Sequence, residues 1–232
     1  MKIKCAVFDF DRTLVNLTDF VDWGRVRWLI IQTYLENGVP ESLVKQHSQE
    51  HLLHFLNRIY EEVSRLFPRD KARKIQAAVY EAIEKCETEG ILNAQLMPGC
   101  PEVLEWLKNR AVKIGIASFN SAKVVNETLK LRNLDSFFAT VVARSIDHKM
   151  KPNPDQLLLC VEKMGCKTQN SVTVGDSSRD VKAAKRAGIL AIGVSTGSSS
   201  TEELLAAGAH KTIRSLWELP EVLLTLDSSL LK

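Results

Sequence analysis

The sequence predicts an α/β fold: a Rossmann-like three-layer core with a parallel sheet, and an all-helical cap inserted after the first strand. Three observations predict it. Apolar, β-branched runs alternate with helix-length stretches from residue 112 onward, the pattern of a parallel sheet covered by helices on both faces. The first run, Ile3 to Phe8 (IKCAVF), is mostly apolar with β-branched and aromatic members, and reads as a strand buried on both faces. No strand pattern interrupts residues 16 to about 92. The expected organisation is therefore a core of residues 1–15 and 97–232 with a helical insertion at 16–96.

The elements follow in order. Strand Ile3 to Phe8 runs into Asp9-Phe10-Asp11. A helix is expected over Leu17 to Asn37, stopped by Gly38, a natural left-handed terminator. Glu41 to Phe67 repeats apolar residues at Leu52, Leu53, Leu56, Ile59, Tyr60 and Val63, a helical period, and Pro68 separates it from a third helix, Arg69 to Thr88. Past Pro98-Gly99 the alternation begins: helix Glu102 to Asn109, strand Val112 to Ala117, helix Ala122 to Leu131, strand Thr140 to Ala143. Helix Pro154 to Met164, strand Ser171 to Val174, helix Arg179 to Ala187 and strand Leu190 to Val194 continue it. Helix Thr201 to Ala206, a short strand Lys211 to Ile213 and helix Leu216 to Leu224 close it.

Composition excludes more than it selects. With 232 residues, 45% hydrophobic and 25% charged, the chain can bury a sizeable core. A formal net charge of +3 points to no polyanionic partner, and the basic stretch Arg65 to Lys74 reads as a solvated helix face. No apolar stretch approaches the ~20 residues a membrane span needs. Five scattered cysteines fit no redox or zinc spacing, Cys5 reads as a core residue, and the chain is expected to be reduced and cytoplasmic. His47, His51 and His54 share a helical face, read as half-exposed surface rather than as a metal site.

Ligands of open parallel sheets bind beyond the carboxyl ends of the strands. Those ends carry Asp9 and Asp11 after the first strand, then Ser118 with Asn120 after the second. Lys151 follows the third strand in Lys-Pro-Asn-Pro, and Gly175-Asp176 with Asp180 follows the fourth. Converging carboxylates repel and call for a cation. An all-oxygen donor set without His or Cys favours Mg²⁺ over Zn²⁺. A lysine and a hydroxyl supply donors for a phosphate dianion, and a carboxylate can act as the nucleophile of phosphoryl transfer.

These segments, in this order, resemble the four motifs of the haloacid dehalogenase superfamily. Asp9-Phe10-Asp11-Arg12-Thr13-Leu14 is similar to the first, Ser118 to the second, Lys151-Pro152-Asn153-Pro154 to the third and Gly175-Asp176-Ser177-Ser178-Arg179-Asp180 to the fourth. The resemblance spans the core, nearest to the phosphoglycolate phosphatase-like group. It implies a magnesium-dependent phosphohydrolase acting on a small phosphate ester through an aspartyl-phosphate. Asp9 would be the nucleophile and Asp11 the general acid/base. Ser118, Asn120 and Lys151 would hold phosphate. Asp9, Asp176, the main-chain carbonyl of Asp11 and Asp180 would hold or adjoin Mg²⁺. The insertion would be a C1-type cap. No nucleic-acid or membrane partner is implied, and the chain is expected to be a monomer or weak homodimer.

Arg12 departs from the small residue common at its position; it either reaches substrate or points to solvent. A phosphomutase of the same fold and a non-catalytic regulatory module are the alternatives.

Overall fold

The structure is a computed structural model that describes residues 2–50 and 52–229. The chain divides into two compact units, one built from residues up to Phe20 and from Gly90 onward, the other from Val21 to Glu89.

The first unit is a six-stranded parallel sheet: β1 (Cys5–Phe8), β2 (Lys113–Ala117), β3 (Phe138–Val142), β4 (Ser171–Gly175), β5 (Leu190–Val194) and β6 (Lys211–Ile213). Their spatial order is β3-β2-β1-β4-β5-β6. The chain builds outward from β1 through β2 to β3, then returns to place β4 on the other side of β1. That reversal makes the β1/β4 junction the switch point, where doubly wound sheets leave a crevice for ligands. All four residues of β1 are fully buried, which is why the run carries no polar alternation.

In the same unit lie α5 (Cys100–Lys108), α6 (Ala122–Leu131), α7 (Asp155–Lys163), α8 (Ser178–Ala187), α9 (Thr201–Ala207) and α10 (Leu219–Ser229), numbered after the four helices of the other unit. Val7 and Ala117 of the sheet share one cluster with Leu157, Cys160 and Val161 of α7 and with Val181, Ala183 and Ala184 of α8. Each fully buried Val or Leu there contributes about 1.5–3 kcal/mol by leaving water.

The second unit is helical: α1 (Trp23–Glu36), α2 (Glu41–His47), α3 (Leu52–Leu66) and α4, which runs Arg69–Gly90 and ends at the boundary. Its buried face carries Val26, Ile30 and Tyr34 of α1, Phe55, Leu56, Ile59 and Val63 of α3, and Ile75, Val79 and Ile83 of α4. Tyr34 Oη donates to Gln76 Oε1 at 2.9 Å, so the buried hydroxyl keeps a partner.

Four expectations are corrected. The helix foreseen from Leu17 is a 3-10 turn at Leu17–Phe20, and α1 starts at Trp23 because the Asp22 side chain accepts from Arg25 N at 2.9 Å and caps it there. The helix foreseen over Glu41 to Phe67 is two helices. Arg27 donates to the main-chain carbonyls of Ser48 and Glu50, a tertiary bond that holds the intervening turn and leaves no local signature. The cysteines are not all reduced: Cys5 and Cys166 form a disulfide across a sequence separation of 161, a distance at which spacing patterns carry no information, while Cys86, Cys100 and Cys160 are free and buried. His47 is buried on Glu50 (2.7 Å) rather than half-exposed, and His51 lies outside the described residues. Residues 16–20 and 90–96 bond within the sheet-bearing unit, with Asn16 N donating to Gln95 O (3.0 Å) and Gln95 N to Asn16 Oδ1 (2.6 Å).

Candidate active site

Asp9 is the first residue beyond β1, and its N–H donates to Val174 O of β4 at 2.8 Å. This bond fixes the chain as it leaves the sheet at the switch point. Asp176 is the first residue beyond β4, and Asp180 lies in the first turn of α8. One carboxylate oxygen of each of Asp9, Asp176 and Asp180 lies within 4.8 Å of the others.

Lys151 enters this cluster from the loop before α7. Its Nζ donates to Asp9 Oδ1 at 2.6 Å, to Asp180 Oδ1 at 2.5 Å and to Ala117 O, at the end of β2, at 2.8 Å. Those three bonds use all three ammonium protons. They tie the ends of β1, β2 and β4 to one buried charge.

Asp180 is also a helix-capping residue. The Ser177 side chain and the Asp180 carboxylate form a reciprocal box at the start of α8, with Asp180 Oδ2 accepting from Ser177 N at 3.0 Å. Gly175 is required for this approach, since a Cβ there would sit 2.5 Å from Asp180 Cβ and Cγ. Asp176 Oδ2 accepts from Ser198 N at 2.8 Å, in the loop that follows β5.

Asp11 stands apart from the cluster. Its Oδ1 accepts from Thr18 N at 3.0 Å, in a turn where Arg12 N donates to Val15 O at 2.6 Å. Arg12 itself has φ +63, reaches Asp19 with its guanidinium at 2.5 Å, and its carbonyl accepts from Thr196 Oγ1 at 2.6 Å.

Ser118 and Asn120 occupy one buried loop beyond β2. Ser118 Oγ donates to Asn120 Oδ1 and accepts from Asn120 N, both at 3.0 Å. The structure thus joins Asp9 and Asp180 through Lys151 and brings a carboxylate oxygen of Asp176 within 4.8 Å of one from each of them. It places Asp11 one residue past Phe10, and Ser118 next to the Ala117 carbonyl that Lys151 grips.

Burial sets the electrostatics. It pushes the Asp9 carboxyl up to about 7, against the pull of Lys151 and with the push of Asp180 and Asp176. Burial raises Asp11 to about 7 as well, partly offset by the Thr18 N–H. Asp176 rises to about 6 through burial and then the charge of Asp180. Asp180 moves the other way: burial would raise it, but the Lys151 charge and hydrogen bond outweigh that and hold it down. Lys151 is held protonated by Asp180 and Asp9 in spite of its burial. A divalent cation beside Asp9 and Asp176 would offset the burial and mutual repulsion that make them hard to ionise. The donors fit such an ion, since they are carboxylate oxygens with no thiol or imidazole among them.

Several contributors are not among the residues the sequence singles out for the site. Gln156 of α7 is fully buried. Its Nε2 donates to Ser118 O at 2.8 Å and Ala143 O at 3.3 Å, while its Oε1 accepts from Lys151 N at 3.4 Å. It therefore joins the loop carrying Ser118 to the one carrying Lys151. Ser177, the Thr196–Ser198 loop and Asp19 are the others. Only Ser177, at a helix start three residues before an acid, follows a pattern that sequence could reveal.

Sheet order and acid cluster together define a doubly wound α/β protein with an acidic, lysine-bridged site at its switch point. Residues 6–194 match the family model described as haloacid dehalogenase-like hydrolase. The chain belongs to that family and is an enzyme of that hydrolase class.

It is 27% identical over 206 residues to the pyrophosphatase PpaX of Bacillus mycoides, covering 84% of this chain and 85% of that one. It is also 27% identical to the PpaX of Bacillus velezensis, with 83% of each chain covered. A crystal structure of a predicted phosphatase from Clostridium acetobutylicum superposes with a TM-score of 0.68 at 21% identity, over 96% of this chain and 99% of that one. One of a predicted phosphoglycolate phosphatase from Haemophilus somnus gives 0.64 at 19% identity, over 96% and 98%. These structural likenesses establish the shared fold. Among the described residues no helix is long and apolar enough to cross a membrane.

Proposed function

We propose that the protein is a magnesium-dependent phosphohydrolase acting on a small phosphorylated metabolite, with Asp9 as nucleophile. The observation that carries this reading is the placement of Lys151 Nζ, 2.6 Å from Asp9 Oδ1 and 2.5 Å from Asp180 Oδ1, inside a buried carboxylate cluster. A carboxylate that only caps a helix needs no buried ammonium beside it. One that attacks a phosphate dianion needs a neighbouring cation to offset the repulsion.

The steps assigned to this chain's residues are these. An Asp9 carboxylate oxygen attacks phosphorus, and the bond from phosphorus to the leaving oxygen breaks as Asp11 delivers a proton to that oxygen. Asp11, now ionised, takes a proton from water, whose oxygen attacks the phosphorus of the aspartyl-phosphate. Phosphate leaves and Asp9 is restored. An acid near 7 exists in both forms at neutral pH, which suits Asp11 to both tasks.

Lys151, with the Ser118–Asn120 loop, would bear on the transferring oxygens. Mg²⁺ would be held by Asp9, Asp176 and the main-chain carbonyl of Asp11, and when bound it supplies charge neutralisation at the transferring group. Both oxygens of Asp180 are already engaged, by Lys151 and by Ser177, so Asp180 is assigned to positioning Lys151 beside the metal shell. The helical unit is read as the family's cap, and the setting as cytoplasmic.

The name of the PpaX relatives adds inorganic pyrophosphate to the candidates, alongside phosphoglycolate and sugar phosphates. The test is phosphate release from such a panel, with Mg²⁺ and with EDTA. Metal-dependent release that disappears in Asp9→Asn supports the reading. Release that survives full chelation, or that persists in Asp9→Asn, sinks it.

A further inference from the structure

Arg12 is built into the site in a way the reading above leaves unused. It follows Asp11 directly and has φ +63, a left-handed backbone that side chains with a Cβ rarely adopt. Both sides of its peptide are pinned, Arg12 N by Val15 O at 2.6 Å and Arg12 O by Thr196 Oγ1 at 2.6 Å. A glycine would serve this turn more easily, so the arginine side chain has a reason of its own to be there. Its guanidinium meets Asp19 Oδ1 at 2.5 Å, and both side chains keep over a third of their surface in solvent, 37% and 38%. An ion pair so exposed adds little to stability and exchanges readily. Asp19 follows Thr18, whose N–H holds the Asp11 carboxylate, so the Arg12–Asp19 pair stands beside Asp11.

From this geometry we infer that Arg12 is a subsite for a second anionic group on the substrate. The inference rests on the phosphohydrolase reading: if Asp11 protonates the leaving oxygen, what hangs from that oxygen lies on the Asp11 and Arg12 side. A phosphate or carboxylate one or two bonds beyond it replaces Asp19 on the guanidinium, whose fork of N–H donors matches either group. The substrate class is thus a phosphate ester or anhydride whose leaving group is itself an anion. Asp19 is the internal stand-in that keeps Arg12 paired until that anion arrives.

The test compares three probes on the full-length enzyme with Mg²⁺: pyrophosphate, phosphoglycolate, and p-nitrophenyl phosphate, whose leaving group has no second anion. The wild type is expected to favour at least one anionic probe by kcat/KM, and which one separates a phosphate from a carboxylate occupant. Arg12→Gln should reduce that preference at least tenfold, mainly through KM, and Arg12→Lys should recover part of it. Asp19→Asn, which removes the competing carboxylate, should lower KM for the anionic probe relative to p-nitrophenyl phosphate. Equal losses on all probes in Arg12→Gln, or a wild type that favours p-nitrophenyl phosphate, overturn the subsite while leaving the phosphohydrolase intact. A wild type inactive on all three overturns both.

Discussion

Gly197 faces Asp176 so closely that a Cβ added to it would lie 1.8 Å from Asp176 Oδ2, the oxygen that accepts from Ser198 N at 2.8 Å. The loop after β5 is therefore moulded onto the acid that ends β4. Gly197→Ala must displace either the loop or the carboxylate. Misplacing a metal-binding group or its support typically costs ~10–100-fold in metal affinity. The Mg²⁺ concentration for half-maximal activity should rise by about that factor, measured by titrating activity against Mg²⁺. An unchanged titration would mean that Asp176 is not a metal ligand, or that the loop yields without moving it.

Asp9→Asn tests the nucleophile with little change of shape. The amide oxygen can still accept from Lys151, and Lys151 keeps Asp180 as its counter-charge. Turnover should fall by several orders of magnitude while the melting temperature stays within a few degrees of wild type. Mass spectrometry of enzyme quenched during turnover should show a phosphoryl adduct in the wild type and none in the variant. An adduct in the variant would move the nucleophile elsewhere.

Lys151→Met tests the charge balance. Removing one partner of a buried ion pair typically costs ~3–5 kcal/mol, because the remaining charges lose their compensation. Here the loss leaves Asp9, Asp176 and Asp180 together, with one oxygen of each within 4.8 Å of the others. The variant should unfold at lower temperature and lose activity. Added Mg²⁺ should raise its melting temperature more than it raises that of the wild type, since the ion would replace the missing positive charge. Calorimetry with and without Mg²⁺ reads both effects, and an equal Mg²⁺ response in the two proteins would argue against an ion within this cluster.

These residues also show what sequence could and could not reveal. The strands were legible because parallel strands buried on both faces must be continuously apolar, and β1 is. The positions of Asp9, Lys151, Asp176 and Asp180 followed from counting polar residues at strand ends. Their convergence followed from the rule that ligands bind beyond strand ends, but the direct bonds of Lys151 to Asp9, Asp180 and Ala117 O did not, because they depend on how β1, β2 and β4 align. The break between α2 and α3 was hidden since Arg27, from another helix, supplies the bonds. The Cys5–Cys166 bond was hidden by its separation in sequence. Gly197 and Gln156 carry no motif at all; each is needed only because of what the fold sets against it.

Gln156 supplies the last prediction. Its amide donates to Ser118 O and Ala143 O and accepts from Lys151 N, so one fully buried group ties together two loops of the site. Gln156→Met keeps the bulk and loses every bond. Leaving a buried polar group without its partner costs about 1–3 kcal/mol, so the variant should be measurably less stable in urea. Gln156→Glu keeps the acceptor for Lys151 N but turns the donor into an oxygen facing two carbonyls. If the amide positions both loops, Glu should do worse than Met in stability, and both should lower kcat more than they raise KM, because the loops hold groups acting on the transferring phosphoryl. Denaturant unfolding together with steady-state kinetics on the two variants checks this. A Glu variant as stable and active as wild type would show that the loops hold their places without the amide.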